Sequence, residues 1–571
     1  MKYPSPRMKR TLSVFIIVFF ANQNYAAFAA EETEENKEKN ISLSGSLTAG
    51  YGLNSTSGAY NPYNRNPYNI NFSPVLKIYS FSLPFTFYLT NTSKGFDHPF
   101  NRIGVSPTWK WLKFHIGYRS LNLSPYVLNG KVFLGGGLEM TPGKFRFAFI
   151  GGRLEKSQNE DTLSAQTMPP AYQRYGFGGK IGFGSAKTYI DLLLFKGKDV
   201  ANSIYTPVKS GITPSENAAA GLSFSIPFSK RIMWQTNIGL SLYTRDVSAV
   251  SYPVTSHQEL LNNGYIKLNM SSQYVTAGES TIRYTGDKGS FTFKYRRIDP
   301  EYQTMGIFYL QTDLSEYSIL FNKYLLKDRI SVNGNFSESE DNIHHLRNTL
   351  TRRVNGGVII AYSTGKKWKL DLNIFASDLS QQFLRQDVAD SLRLNQLNKM
   401  ISCAFYYVLD NRQNTSNTVT LSTGYNAFSN LNPEYVYDFS SGSININTSF
   451  RTLFKNSKAN LTESAAIYLN TYGSGHTNTF SIGETFGKAI SNDKLSLNAG
   501  INLAYSEIND ILHRKTISLQ AGVRYKAGKN DVLSFNGNIQ NGFSSGNANT
   551  GSSSFNISYT HNFNTNQQKK Y

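Results

Sequence analysis

The run that most constrains this chain is its last strand-like stretch, Phe555-Asn556-Ile557-Ser558-Tyr559-Thr560-His561-Asn562-Phe563. Large ring or aliphatic residues alternate with small polar ones, and a strand sends successive side chains to opposite faces. Phe555, Ile557, Tyr559 and Phe563 therefore share one face, and Asn556, Ser558, Thr560 and Asn562 the other. A strand greasy on one side and polar but uncharged on the other suits a wall between lipid and a wet interior. The pattern recurs along almost the whole chain.

Turn signals punctuate it. Val132 to Met140 ends at Thr141-Pro142-Gly143, whose Pro-Gly pair marks a turn, and Phe145, Phe147 and Phe149 return. Ala218 to Phe228 turns at Ser229-Lys230-Arg231 into Ile232 to Leu242. Val354 to Tyr362 turns at Thr364-Gly365-Lys366-Lys367 into Trp368 to Ile374, and the hairpins continue to the C-terminus. Short turns alternate with longer polar connections such as 158–170, 246–262 and 378–394. This asymmetry predicts an all-β fold, a closed antiparallel transmembrane β-barrel with short periplasmic turns and long extracellular loops. At roughly 20–24 residues per strand and connection, it has about two dozen strands. A propeller or stacked sandwiches would also show regular strands. Their buried strands lack a second face of Ser, Asn, Thr and Gly, and their turns do not alternate short and long.

Composition agrees. Aromatic residues are 14% of the chain and charged residues 17%, the latter below the ~25% of ordinary soluble domains. Mean hydropathy is nevertheless −0.37, because half of each wall faces a polar lumen. No segment after the leader approaches the ~20 apolar residues a helical span needs.

The leader itself reads as a cleaved secretory signal over residues 1–29. Lys2, Arg7, Lys9 and Arg10 form its basic region, Leu12 to Phe20 its apolar core, and Ala27-Phe28-Ala29 its cleavage site. Met8 would serve as an alternative start. Residues 30–40 are expected to be a flexible periplasmic lead-in and 41–563 the barrel. Within it, 50–73 is rich in Tyr, Asn, Pro and Gly, so a long loop or lumen insert is expected there. Residues 564–571 form a polar C-terminal tail. The single cysteine, Cys403, rules out an intrachain disulfide and reads as a small apolar wall residue.

The N-terminal part resembles a widespread, poorly characterised family of outer-membrane β-barrel proteins of the Bacteroidota. The resemblance rests on Arg102-Ile103-Gly104-Val105-Ser106-Pro107, Trp109-Lys110-Trp111, Gly117-Tyr118-Arg119 and Pro125-Tyr126-Val127-Leu128-Asn129-Gly130. Phe133 to Glu139, Pro142 to Phe147, Pro214-Ser215-Glu216-Asn217 and Arg297-Ile298-Asp299-Pro300-Glu301-Tyr302 carry it further. It spans roughly Ser73 to Asp313 and implies a location and a fold, with no reaction or substrate. It implies the outer membrane of a Gram-negative cell, with lipid and lipopolysaccharide around the barrel. Barrel-assembly machinery would read Phe555, Ile557, Tyr559 and Phe563 during insertion, although Asn564 to Tyr571 follow that strand.

The chemistry-bearing residues do not suggest an enzyme. The sequence has no G-x-S-x-G elbow, H-E-x-x-H motif or phosphate-binding loop, and no metal or cofactor is expected. Asp97-His98 falls in a loop candidate. His344-His345 beside Glu340 and Asp341 is the nearest approach to a ligand set, but adjacent residues of an extended chain point apart. The net charge is +20. In an exported protein that balance suits anionic lipid, sugars or an anion-favouring lumen, and nucleic acid is not an expected partner. Strand parity places Lys113, Arg119, Arg146, Lys180 and Arg296 on inner faces, where they would favour anions or pair with inward carboxylates such as Glu139 and Asp191. A channel or solute-permeation protein with a basic-leaning lumen is the first functional expectation. A membrane anchor or assembly component of a secretion, motility or surface-protein complex is the second.

Overall fold

Every strand of the computed structural model pairs with its chain neighbour, from β1 (Ile41–Ser57) round to β27 (Thr550–Asn564). β27 then pairs antiparallel with β1, Ser44 opposite Asn564 and Ser57 opposite Gly551. That ladder closes the sheet, so no strand edge is left with unpaired backbone groups, the condition for a β structure in hydrocarbon. The 27 segments form 26 staves. β4 (Arg102–Val105) and β5 (Thr108–Trp109) lie end to end between β3 (Phe81–Thr90) and β6 (Leu112–Arg119), split at Ser106-Pro107. Pro107 has no amide proton to give the ladder, which accounts for the break. The structure describes residues 41–57, 66–91, 102–160, 170–205, 211–251, 266, 268–365, 367–384, 393–432, 434, 440–545 and 549–564.

The two ends of the barrel differ. At one end the strands are joined by short turns such as 79–80, 141–144, 287–288, 326–329 and 491–494, and β1 begins and β27 ends there. At the other end lie long connections, among them 120–132, 200–215, 245–271 and 299–313. The stretch 50–73, expected to be a long loop or lumen insert, is corrected at its two ends, which are strand, while 58–65 lie outside the described residues. β1 runs to Ser57, β2 (Tyr68–Ile78) resumes after ten residues' worth of connection at most, and Tyr51 lies opposite Tyr68. Turn-forming residues misled there because Asn and Gly on the inner face of a barrel are wall residues too. Asn564, assigned to the polar tail, ends the last strand opposite Ser44. The signal, the lead-in and 565–571 lie outside the described residues, as do Asp97 and His98.

The outer face is an apolar band. Along β10 (Tyr189–Asp199), Ile190, Leu192 and Leu194 are exposed while Asp191, Leu193 and Phe195 between them are buried inside. All four tryptophans of the chain (Trp109, Trp111, Trp234 and Trp368) sit at or within three residues of a short turn. Phe228 stacks on Trp234 with centroids 5.6 Å apart, and Tyr362 meets Trp368 edge-on at 4.9 Å. Amphipathic rings gathered at one height form the girdle expected where hydrocarbon meets headgroups. Cys403 lies in β19 (Asn395–Asn411) opposite Leu372 of β18 (Trp368–Phe383), midway across the band on its outer face. In liposomes a charged maleimide is expected to leave Cys403 unmodified, and to modify it after denaturation. Labelling of the folded protein would refute this placement.

Inside, a second layer covers one side of the lumen. The connection 120–132 folds inward, and Tyr126, Val127 and Leu128 are at most 1% exposed. Leu128 and Val127 join Ala148, Ile150, Leu193, Phe195, Ala219 and Met305 in one apolar cluster, while Tyr126 joins Ala277, Ile298 and Tyr302 in another. The connection 299–313 packs beside it. The Asn129 amide donates to Gly306 O at 3.0 Å, and the Tyr302 hydroxyl to Tyr126 O at 2.5 Å. Each fully buried aliphatic side chain stabilises by roughly 1.5–3 kcal/mol relative to exposure, and the hydrogen bonds to the neighbouring connection add to that hold. The wall makes room with glycine. A Cβ on Gly221 would lie 2.6 Å from Val127 Cγ2, and one on Gly239 2.6 Å from both Tyr126 Cβ and the Tyr302 hydroxyl.

Candidate functional site

The lumen is the candidate site, and its two sides differ in chemistry. On the covered side, β6 to β15 (Leu314–Leu325), cations and carboxylates point inward in pairs. Lys113 bonds Glu139 at 2.9 Å, and Arg146 and Lys180 converge on Asp191, through Nε at 2.8 Å and Nζ at 2.8 Å. Arg296 pairs with Glu316, and Lys294 with Glu279 at 2.7 Å. Arg119 donates to Thr86 Oγ1 at 2.7 Å, while its Nε is buried with no partner. All five cations singled out from the sequence thus lie on inner faces, but four of them are matched by a carboxylate. They are not brought together as one free positive cluster. Breaking such a pair would leave its partner half-desolvated, the costly case for buried ions.

The same wall holds a chain the sequence analysis missed. Ser106 Oγ and His115 Nδ1 are 3.2 Å apart, and His115 Nε2 is 2.7 Å from Glu139 Oε1. A hydroxyl, an imidazole and a carboxylate in line suggest nucleophilic catalysis at first sight. Ser106 and His115 are both buried, however, and Ser106 sits where the stave is broken, its amide donating to Pro84 O at 3.0 Å. The chain ties the broken stave to β6 and β7 (Phe133–Met140) and satisfies both ring nitrogens of a buried histidine. Elsewhere, His344 lies 3.6 Å from Asp299, and no group of three metal-ligating side chains occurs among the described residues.

The inner layer is clamped by Asn217, which is fully buried. Its Nδ2 donates to Ser241 Oγ at 2.8 Å and Leu242 O at 3.0 Å, and its Oδ1 accepts from the Met305 amide at 3.0 Å. Ser241 Oγ in turn donates to Gln303 O at 2.5 Å. Tyr126 donates to Glu279 at 3.2 Å. Burial, helped by Glu279, pushes the Tyr126 phenol well above the ordinary tyrosine range, and burial alone does so for Tyr302. Both remain hydrogen-bond donors at any physiological pH.

The open side runs from β16 (Ile330–Glu340) through β27 to β1. Its inner face is hydroxyl and amide: Asn445, Asn447 and Ser449 on β21 (Ser441–Phe454), Asn536, Asn538 and Gln540 on β26 (Asp531–Ser544). Neighbours cross-link, as Thr479 with Ser506 at 2.9 Å and Ser377 with Asn355 at 2.6 Å. Among the described residues of this wall the inward carboxylate is Asp371, bonded to Lys369 at 2.6 Å. Against it stand Arg353, Arg451, Arg514 and Arg524. Arg514 donates to Thr550 at 2.9 Å. The other three have no ion pair among the described residues and are exposed to the lumen. Alternation is the signal that marks them: Arg451 stands between Phe450 and Thr452, Arg524 between Val523 and Tyr525.

No protein-family model matches the chain, and neither does any curated protein. Among solved structures, the P pilus usher PapC translocation pore aligns over 92% of this chain and 99% of its own, at 10% identity and a TM-score of 0.38. OccAB2 of Acinetobacter baumannii aligns over 62% of this chain and 92% of its own, at 9% identity and 0.30. OpdK of Pseudomonas aeruginosa, solved with vanillate, aligns over 61% and 93%, at 8% identity and 0.29. Likeness this distant carries no weight for function, and the closed barrel rests on its own strand ladder.

Proposed function

We propose that the protein is an outer-membrane channel, exported by a cleaved signal, whose conducting path follows the open wall of the lumen and favours small anions. The observation that supports it most is the contrast between the two walls. One is covered by an inner layer and has most of its inward cations paired with carboxylates, and the other is uncovered, lined by hydroxyl and amide groups and biased toward arginine. Lumen charge sets selectivity in such pores, and the lean comes from Arg353, Arg451 and Arg524 rather than from Lys113, Arg146, Lys180 or Arg296. The apolar band would sit in lipid and lipopolysaccharide, its tryptophan girdle at the periplasmic interface.

Planar-bilayer recording tests this. In about 0.1 M KCl, where screening reaches only to ~10 Å, a salt gradient is expected to give a reversal potential of anion-favouring sign. The triple variant Arg353→Gln, Arg451→Gln, Arg524→Gln is expected to lose most of that preference, and Lys113→Gln to keep it. A silent bilayer together with a stoichiometric co-purifying partner would instead support the anchoring role.

A further inference from the structure

Where the inner layer reaches the long-connection end of the lumen, it borders a cavity of about 560 Å³. Lys131, Arg174, Arg245 and Glu301 give its lining three cations and one carboxylate. Two of the cations are committed. Arg174 holds Asp199 through Nε at 2.7 Å and Nη2 at 3.0 Å and reaches Glu155 at 3.4 Å, and Arg245 pairs with Glu301. Lys131 has no hydrogen bond or ion pair among the described residues, although it is only half-exposed. Burial holds its ammonium below the ordinary lysine range. Arg174 adds to that effect, and Glu155 and Asp199 oppose it. Folding thus places a partly desolvated cation at a cavity wall with no anionic partner among the described residues, a cost that an anionic ligand would relieve.

The remaining lining is of a particular kind. Tyr309 is 80% exposed beside Phe308, and Gln303 and Thr312 offer amide and hydroxyl groups at the same wall. An aromatic face with amide and hydroxyl partners matches a sugar ring, whose C–H face is apolar and whose rim is hydroxyl. A cavity of this volume falls within the ~300–1,000 Å³ of small-ligand sites. We propose that this cavity binds an acidic monosaccharide, its carboxylate on Lys131 and its ring against Tyr309. The site would exist in a closed barrel as well as in a conducting one, so it does not depend on the channel reading.

The test is calorimetric titration of the full chain in detergent with glucuronate, glucose and acetate. Saturable glucuronate binding is expected, at least tenfold tighter than either glucose or acetate. Lys131→Met is expected to weaken it tenfold or more, Lys131→Arg to retain it, and Lys113→Met to leave it unchanged. Tyr309→Ala is expected to reduce glucuronate affinity several-fold. No glucuronate binding, equal binding by Lys131→Met, or acetate binding as tightly as glucuronate would each overturn the assignment. Conductance measured on the same preparation separates the two readings: binding in a silent barrel leaves this one standing and removes the channel, and conduction without binding does the reverse.

Discussion

Gly239→Val combined with Asn217→Ala is expected to raise the single-channel conductance at least twofold while leaving the barrel folded. The glycine lies in β12 (Ile232–Thr244), and the space its missing Cβ would fill is occupied by Tyr126 and the Tyr302 hydroxyl. A branched side chain there forces either the wall or the inner layer to move. Overpacking of this kind costs about 1–3 kcal/mol, and the wall is the stiffer partner. β12 is paired along its length with β11 (Glu216–Pro227) and β13 (Ser272–Gly286). The inner layer depends on a few buried side chains and on the Asn217 clamp. Adding Asn217→Ala removes the acceptor for the Met305 amide, and an orphaned buried donor costs a further ~1–3 kcal/mol. The double variant should therefore release the layer, widening the lumen on its covered side. Gly356→Ala is the control, because a Cβ there meets nothing nearer than Phe336 at 4.0 Å. Heat-modifiable migration on gels would show that the barrel survives. Unchanged conductance and unchanged unfolding temperature in the double variant would mean that the lumen has no such layer.

The barrel was legible in the sequence because a membrane wall repeats one rule, period two, over hundreds of residues, and each hairpin reinforces the last. The turn at Thr141 to Lys144 and that at Thr364 to Lys367 follow from local chemistry alone. The inner layer was not legible. Pro125-Tyr126-Val127-Leu128 has no period, and its burial comes from residues far away in sequence, Phe195, Ala219 and Met305, which no local pattern connects. The apolar content of the run was visible, but its place inside the lumen was not. At 50–73, by contrast, Asn and Gly resemble a loop, when those of 50–57 and 68–73 belong to the wall strands β1 and β2. Lumen charge was half legible. Parity gives the face of Arg146 or Lys180, yet only cross-strand register brings both to Asp191 and cancels them. The same register leaves Arg451 facing Thr418 and Thr462, with no carboxylate to meet.

Removing two glutamates should stabilise this protein in lipid. Glu463 in β22 (Ala459–Tyr472) lies directly opposite Glu484 in β23 (Gly475–Ile490), and both are on the outer face. Down that face β23 reads Lys488, Phe486, Glu484, Ile482, Phe480, Asn478, so Glu484 interrupts the apolar run between its polar ends. The flanking strands present Phe450 beside Glu463 and Ile501 beside Glu484. Like charges directly opposed across a ladder repel, and carboxylates on the lipid face are unfavourable, by less than the ~2–4 kcal/mol that Arg or Lys costs at midplane. No ion pair among the described residues offsets either cost. The double variant Glu463→Leu, Glu484→Leu is expected to gain about 2 kcal/mol in urea unfolding from synthetic phosphatidylcholine liposomes. Glu463→Gln alone should recover the repulsive part, and Glu507→Gln, at the far end of β24 (Leu495–Ile508), should change little. Liposomes of one lipid contain no partner protein, so a double variant less stable than the parent there would place these side chains away from hydrocarbon. The outward assignment of the whole C-terminal wall would then fall with them, since Phe486, Ile482, Ile501 and Leu519 share their face.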